Sequence, residues 1–225
     1  PRKKRIRFGR VKLATFRDIH ELKGMILGLR PDVIISSPDV GVHVQRIANL
    51  YNIPTVHYLQ SYEYAPPDRA ERESWKVSLS RDYSNKSEAD FIFRESDACV
   101  VNSLYMKRRF EKEYGREFLV IYPELIEEDF LVGGGTERKE KYIAGICGFP
   151  YKGADIFYEL TKRMSHEKFL LVGNSLYEYH RKFEKLENVR ILPYTRTKKF
   201  LGMSKAVLVP SQWPEPFGRI VVEAA

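Results

Sequence analysis

Short apolar runs alternate along the chain with segments whose apolar residues recur at helical spacing, and this pattern predicts alternating strands and helices. In the first half the spacing predicts a helix over residues 11–29, ended by Pro31. The strands predicted after it cover residues 32–36, which are expected to be buried, and residues 54–59, 98–102 and 118–123. Three further helices are predicted in this half. One ends near Tyr51, one covers residues 84–95, and one runs from Ser103 to Gly115. This alternation is typical of a doubly wound α/β fold with parallel strands.

The second half repeats the alternation. Strands are predicted at residues 141–146, 168–173, 188–192 and 206–209, and the last of these is expected to be buried and parallel. Helices are predicted at 154–164, 176–186 and 195–206, with Thr195 as an N-cap, followed by a helix that opens at Gly218. A glycine-rich connector at residues 133–135 separates the halves, and we place the domain boundary after Tyr122.

The last sixteen residues, PSQWPEPFGRIVVEAA, form a strand–loop–helix segment with two carboxylates eight residues apart. Glu215 lies in the loop and Glu223 on the second turn of the predicted helix. Carboxylates accept hydrogen bonds from hydroxyls, and the free N–H groups of a helix start suit phosphate or sugar. Two solvated glutamates in an ordinary turn are the alternative. The apolar surroundings of Glu223 favour a binding role, because an unpaired charge there would be costly.

Two stretches resemble a known family. EPFGRIVVEA resembles the E-x7-E signature of glycosyltransferase family 4, retaining enzymes of the GT-B fold, and SDACVVNS…MKRRF…YG…VIYP resembles the end of that family's N-terminal domain. The resemblance covers residues 98–225 and, more loosely, those before. It implies an α/β protein with two Rossmann-like, doubly wound domains facing across a cleft. Residues 1–122 would form an acceptor-side domain, incomplete at its start, and residues 123–225 a nucleotide-sugar domain without its last helices.

By this resemblance the last sixteen residues bind the donor. Glu223 would accept hydrogen bonds from the ribose hydroxyls. Glu215, a catalytic residue, would hold the sugar and steady an oxocarbenium-like transition state. Backbone N–H groups of Phe217 and Gly218 would meet the sugar and phosphate.

The resemblance also implies a cationic site for the donor diphosphate. Family members commonly carry an arginine and then a Lys-Gly pair after the first strand of this domain. Lys152-Gly153 matches the pair, and Lys152 would stabilise the leaving diphosphate as a second catalytic residue. Ile146 stands at the arginine position, so the diphosphate should bind more weakly or use another cation, for which Arg219 is the candidate. A solvated loop is the alternative environment for Lys152 and Arg219.

Histidine catalysis is not predicted. His57 lies in the strand at 54–59 and is expected to be a half-buried strand residue. The position after the strand DVIIS, where family members often carry histidine, holds Ser37. The long segment 60–80 that follows is expected to be functional or mobile.

Charge and composition restrict the partners. The 225 residues carry a formal charge of +8, which is compatible with nucleic acid, an anionic membrane surface or phosphate-bearing substrates. No nucleic-acid module is recognisable, and abundant lysine and glutamate also fit a heat-adapted surface. The basic start, PRKKRIRFGR, is either a solvated edge or a peripheral contact with anionic lipid, worth about 1 kcal/mol per basic residue.

Location and metal content are predicted from absences in the sequence. No signal peptide and no apolar run of membrane-spanning length is visible, so a cytoplasmic protein is expected, with peripheral membrane contact left open. Cys99 and Cys147 make neither a disulfide framework nor a zinc cluster. No metal or cofactor is predicted apart from the donor itself.

The sequence therefore predicts a metal-independent retaining glycosyltransferase that moves a sugar from a nucleotide-diphosphate sugar to a glycan, lipid-linked or small-molecule acceptor. A GT-B epimerase or phosphorylase is one alternative, although neither is expected to combine EPFGxxxxE with Lys-Gly. A non-catalytic protein that binds a nucleotide sugar or glycolipid is the other. The chain begins and ends on a predicted helix, so it is expected to be part of a longer protein.

Overall fold

A computed structural model describes residues 18–37, 41–62, 71, 73, 86–131, 141–173 and 177–225. The first half alternates helices and strands as the sequence pattern predicts. Its elements are α1 (Ile19–Leu29), β1 (Ile34–Ser36), α2 (Gly41–Tyr51), β2 (Thr55–Leu59), α3 (Lys86–Glu95), β3 (Ala98–Val101), α4 (Leu104–Tyr114) and β4 (Leu119–Val120).

The second half continues the alternation after a short 3₁₀ turn at Glu127–Asp129. Its elements are β5 (Tyr142–Gly145), a 3₁₀ turn (Pro150–Lys152), α5 (Ala154–Arg163), β6 (Phe169–Val172), α6 (Tyr177–Phe183), β7 (Val189–Leu192), α7 (Thr197–Leu201), β8 (Ser204–Leu208) and α8 (Arg219–Ala224).

Among the residues that the structure describes, the strands form two separate four-stranded sheets, and every pairing is parallel. The first sheet has the order β1-β2-β3-β4 and the second the order β7-β6-β5-β8. Parallel neighbours require crossover connections, which the intervening helices supply. All carboxyl ends of one sheet therefore lie at one edge, where ligands bind in doubly wound folds.

Local signals in the sequence explain where α4 begins and ends. Ser103 has extended backbone, and its hydroxyl accepts a hydrogen bond from the N–H of Met106. Gly115 ends the helix in the left-handed conformation, at φ 62°. The predicted start at Ser103 and end at Gly115 are both confirmed.

Clusters of phenylalanine fill the core of each half. Phe93 meets Phe110 and Phe118 edge-to-face, with ring centroids 5.9 and 5.3 Å apart. In the second half Phe157 packs against Phe169 and Phe183 at 5.6 and 5.9 Å. Each fully buried phenylalanine stabilises the fold by about 1.5–3 kcal/mol. The first cluster also includes buried residues of β2 and β3, and the second includes a buried residue of β5, so both pack against strands whose carboxyl ends lead to the candidate site.

Two strands predicted to be buried are partly exposed. Ile35 of β1 is 71% exposed, and β8 occupies 204–208 rather than 206–209, with Val209 outside it and 36% exposed. Both strands lie at an edge of their sheet among the described residues. An edge strand has a neighbour on one side only, so its apolar residues are less covered.

The predicted cap at Thr195 is wrong. Helix α7 begins at Thr197, and Arg196 occupies the N-cap without a side-chain hydrogen bond to the helix. The helix is also shorter than predicted, because residues from Ser204 onward pair with β5 as part of β8. Strand pairing overrides the helical spacing there.

Several predictions concern residues outside the described ranges. These are the basic start, residues 11–17 of the first helix, most of the segment 60–80, and the glycines at 133–135. The domain boundary after Tyr122 stays a prediction. Within the described ranges, none of the helices has both the length and the apolar character needed to cross a bilayer.

Candidate functional site

The loop that follows β8 leads directly into α8. Gly218 occupies the N-cap of this helix with a left-handed backbone, at φ 73°. A side chain would strain this conformation, which explains the glycine. Phe217 is half-buried, and its ring centroid lies 6.0 Å from that of Tyr122. The helix predicted to open at Gly218 is therefore present.

Glu215, in this loop, is held by a cation and a hydroxyl. The Nζ atom of Lys152 lies 2.6 Å from Oε1 and 2.7 Å from Oε2 of Glu215. The Ser211 hydroxyl donates to Oε1 at 2.6 Å. An ionised carboxylate offers about four acceptor sites. The three hydrogen bonds leave acceptor capacity at Glu215 for a ligand hydroxyl.

Close contact between two loops brings Lys152 to Glu215. Gly153 follows Lys152 with φ 82°, and a Cβ atom there would lie only 2.1 Å from the carbonyl oxygen of Pro210. The N–H of Gln212 donates to the Tyr151 carbonyl at 2.9 Å, which pairs the two backbones. The two loops can therefore pack this closely only because residue 153 is a glycine.

Glu223 is buried and paired. It is 8% exposed, accepts from Nε of Arg219 one helical turn earlier, and accepts from the Thr197 hydroxyl at 3.1 Å. Charge pairing and hydrogen bonding reduce the cost of burying a carboxylate. The apolar helix thus tolerates Glu223 because α7 and its own first turn supply partners.

A cleft of about 820 Å³ opens beside Glu223. This volume lies in the range of small-molecule sites, roughly 300–1,000 Å³. The residues that line it are Asp129, Ile146, Tyr194, Thr195, Arg196, Thr197, Phe200, Arg219, Ile220 and Glu223. Three residues singled out from the sequence thus meet here: Glu223, Arg219 and the 43% exposed Ile146. Glu215 and Lys152 are not in this lining.

Gly218 lies between the two carboxylates of the motif. It immediately precedes Arg219 of the cleft wall, and a Cβ atom placed on it would lie 3.6 Å from Cβ of Glu215. All the predicted site residues therefore belong to the two paired loops and α8. Their roles toward a donor stay predictions.

Sequence reasoning missed several residues of this site. Ser211 and Thr197 donate to the two glutamates, Arg196 lines the cleft, and the ring of Trp213 lies 5.1 Å from Nζ of Lys152. The sequence could have indicated Arg196 as a further cation, because it lies shortly after the strand predicted at residues 188–192. The hydroxyls carry no comparable signal, because serine and threonine are common in loops.

His57 is more deeply buried than predicted. It is 1% exposed rather than half-buried, and its Nδ1 atom lies 2.8 Å from the Ser36 hydroxyl. Gly41 packs so closely that an added Cβ atom would lie 2.5 Å from the imidazole. Burial lowers the pKa of His57 from its usual 6.5 to about 4. The ring is a neutral core residue at physiological pH.

This burial predicts a pH-dependent stability. Below about pH 6.5 the unfolded chain binds a proton at His57, whereas the folded protein does so only near pH 4. Stability should therefore fall as the pH drops through this window, by about 2–3 kcal/mol near pH 4.5. Urea unfolding of the wild type and of His57→Gln, near pH 7 and near pH 4.5, measures it. The variant should lose less stability between the two pH values, and equal losses would contradict the assignment.

No protein-family model matches this chain. The chain is 24% identical over 232 residues to an uncharacterized 42.6 kDa protein in the cps region of Klebsiella pneumoniae, covering 95% of this chain and 60% of that protein. Among solved structures it is similar to HepE of Anabaena in complex with UDP-glucose, at a TM-score of 0.68 and 19% identity, covering 92% of this chain and 60% of HepE.

Two further solved structures are similar over 92% of this chain. TarM has a TM-score of 0.67 and 18% identity with 42% of its chain covered, and sucrose-phosphate synthase of Thermosynechococcus elongatus has 0.66 and 15% with 56% covered. The chain thus spans about 60% of the length of the first relatives it matches. Together with the two parallel sheets, these similarities confirm the predicted α/β GT-B fold, while membership of glycosyltransferase family 4 stays a prediction.

Proposed function

We propose that this chain contains the donor site of a retaining, metal-independent glycosyltransferase, which moves a sugar from a nucleotide-diphosphate sugar to a glycan, lipid-linked or small-molecule acceptor. The observation that carries the proposal is the buried Glu223 in the wall of a cleft of about 820 Å³, next to the loop that holds Glu215. The HepE structure contains UDP-glucose, which supports the same class of donor here.

The two carboxylates would recognise different parts of the donor. Glu223, fixed by Arg219 and Thr197, would accept hydrogen bonds from the ribose hydroxyls. Glu215 would hold the sugar through its remaining acceptor capacity and stabilise positive charge that develops at the anomeric carbon. Backbone N–H groups at Phe217 and Gly218 would meet the sugar and phosphate.

The leaving diphosphate would be stabilised by cations at two positions. Lys152 would contribute from the loop after β5, and Arg219 from the first turn of α8. The contact between Arg219 and Glu223 uses one of the five N–H donors of the guanidinium. Arg219 would thereby replace the arginine that the family carries where this chain has Ile146.

Donor turnover tests the proposal most directly. The protein would be incubated with UDP-, GDP- and ADP-sugars, with a simple glycoside or water as the acceptor of the sugar. Release of the nucleotide diphosphate and the anomeric configuration of the product would be followed by NMR. We expect release from one donor, with retention of configuration, in the presence of chelator. A folded protein that turns over none of these donors would contradict the proposal.

Replacing Glu223 with glutamine should weaken binding of the preferred nucleotide diphosphate. The neutral amide accepts more weakly from ribose hydroxyls, and loss of one charge-assisted hydrogen bond costs about 1.5–3 kcal/mol, or 10-fold or more in affinity. Calorimetric titration of UDP, GDP and ADP measures the change. Glu184→Gln, at an exposed pair with His180, is the matched control. Unchanged affinity in Glu223→Gln would remove the assigned role.

A non-catalytic nucleotide-sugar-binding protein is the second candidate. The exposed Ile146 in the cleft favours it, because one cation fewer should weaken stabilisation of a leaving diphosphate. This candidate predicts nucleotide binding that Glu223→Gln weakens, without turnover of any donor. The titrations and the turnover assay together separate the two candidates.

A further inference from the structure

The backbone on both sides of Glu215 is held by side chains of the first half. The Tyr62 hydroxyl donates to the carbonyl of Pro214 at 2.5 Å, and the Ser103 hydroxyl donates to the carbonyl of Pro216. Tyr62 follows β2 and Ser103 follows β3, so both donors come from carboxyl ends of the first sheet. Glu215 is the residue between the two accepting carbonyls.

An aromatic contact reinforces these hydrogen bonds. Trp213, two residues before Glu215, packs against the buried core of the first half. Its ring centroid lies 5.4 Å from that of Tyr62 and 5.0 Å from that of Tyr151. The same indole lies beside Lys152, at 5.1 Å from Nζ. Trp213 therefore joins the first half to the loop that contributes Lys152.

Tyr62 is itself held firmly. It is 3% exposed, its hydroxyl oxygen lies 3.2 Å from that of Tyr105, and its ring lies under the guanidinium of Arg109 at 5.0 Å. Arg109 in turn makes a bidentate pair with Glu71, at 2.8 and 2.9 Å. Burial raises the pKa of Tyr62, so the hydroxyl stays protonated and remains a donor.

We propose that Tyr62 and Ser103 are positioning residues that hold Glu215 in place from the first half of the chain. The Glu215 side chain is held by Lys152 and Ser211 of the second half, whereas its backbone is held by these two hydroxyls. Contact between the halves is then part of the donor site. Separation of the halves would release both carbonyls and shift the carboxylate.

A small displacement is enough to affect catalysis. A shift of about 1 Å at a reacting group can cost on the order of 100-fold in rate. The inference rests on the proposed role of Glu215 at the donor sugar. It predicts a loss in turnover and in binding of the sugar moiety, while binding of the nucleotide moiety at Glu223 is retained.

Tyr62→Phe tests this, because it removes the hydroxyl and keeps the ring. We expect kcat to fall about 10-fold, as for loss of one hydrogen bond, with unchanged affinity for the nucleotide diphosphate alone. Affinity for the complete nucleotide sugar should fall. Tyr58→Phe, which removes a hydroxyl from β2 instead, should leave all three quantities at the wild-type level.

A second readout does not depend on activity. The chain has two tryptophans, so Trp75→Phe leaves Trp213 as the only one. Acrylamide should quench Trp213 more strongly when Tyr62→Phe is added, since the loop is then less firmly held. Ser103→Ala should also increase the quenching of Trp213. Because this variant also removes the N-cap of α4, its quenching is measured well below its melting temperature.

The outcomes separate the inference from the proposed function. If the wild type neither binds nor turns over a nucleotide sugar, the proposed function is overturned, and quenching alone then decides whether the first half holds the loop. If the wild type is active and Tyr62→Phe changes neither kcat nor quenching, the positioning role is overturned. Equal losses of nucleotide affinity and kcat would indicate a general structural defect and would also overturn it.

Discussion

Replacing Lys152 with alanine should lower kcat, or the affinity for the donor, by at least 10-fold. The variant removes the cation that lies 2.6 and 2.7 Å from the two oxygens of Glu215 and that would neutralise the leaving diphosphate. Hydrogen bonds between charged groups contribute about 1.5–3 kcal/mol, which corresponds to roughly 10- to 150-fold. Steady-state kinetics on the donor, with circular dichroism to verify folding, measures the effect.

Lys162→Ala is the matched control for this prediction. Lys162 pairs with Glu159 on the exposed surface of α5, at 3.4 Å, and surface pairs of this kind contribute about 0–1 kcal/mol. Its kinetics should equal those of the wild type. If Lys152→Ala behaves like Lys162→Ala, Lys152 is an ordinary loop lysine and the proposed site loses its main cation.

Replacing Gly153 with alanine should destabilise the second half strongly. The left-handed backbone at φ 82° costs about 1–2 kcal/mol for a residue with a side chain, and overpacking costs a further 1–3 kcal/mol. The new Cβ atom would lie 2.1 Å from the carbonyl oxygen of Pro210, which is backbone and has little freedom to move. We therefore expect a loss of about 2–5 kcal/mol in the free energy of unfolding.

Gly115→Ala separates the conformational cost of the left-handed backbone from the cost of overpacking. Gly115 also has a left-handed backbone, at φ 62°, but a Cβ atom there would meet nothing within 4 Å. This variant should lose only the conformational term of about 1–2 kcal/mol. Urea unfolding of both variants gives the comparison. Equal losses would show that the contact between the Lys-Gly loop and Pro210 contributes nothing.

Lys152→Ala and Gly153→Ala both test the contact between the loop after β5 and the loop after β8. Gly153 allows the loop after β5 to approach Pro210, and Lys152 then reaches Glu215 across that contact. Where Gly153→Ala still folds, it should also reduce turnover, because the loops can no longer pack at the same distance. The cation at Lys152 thus depends on the close packing that the adjacent Gly153 allows.

The sequence by itself determined the alternation of elements and the class of fold. Short apolar runs separated by helical spacing predict parallel strands with crossover helices, and such local patterns survive in the tertiary structure. Local signals also located helix ends, as at Ser103 and Gly115. The spacing of Arg219 and Glu223, four residues apart, is likewise a local property of a helix.

Only the tertiary structure decided which strands lie at the sheet edges and which distant residues meet. Lys152 and Glu215 are 63 residues apart, and Tyr62 and Pro214 are 152 apart. Periodicity carries no information on strand order, so the exposure of Ile35 and Val209 was not predicted. The sequence pattern is short-ranged, whereas the position of Glu215 depends on loops from both sheets meeting at their carboxyl ends.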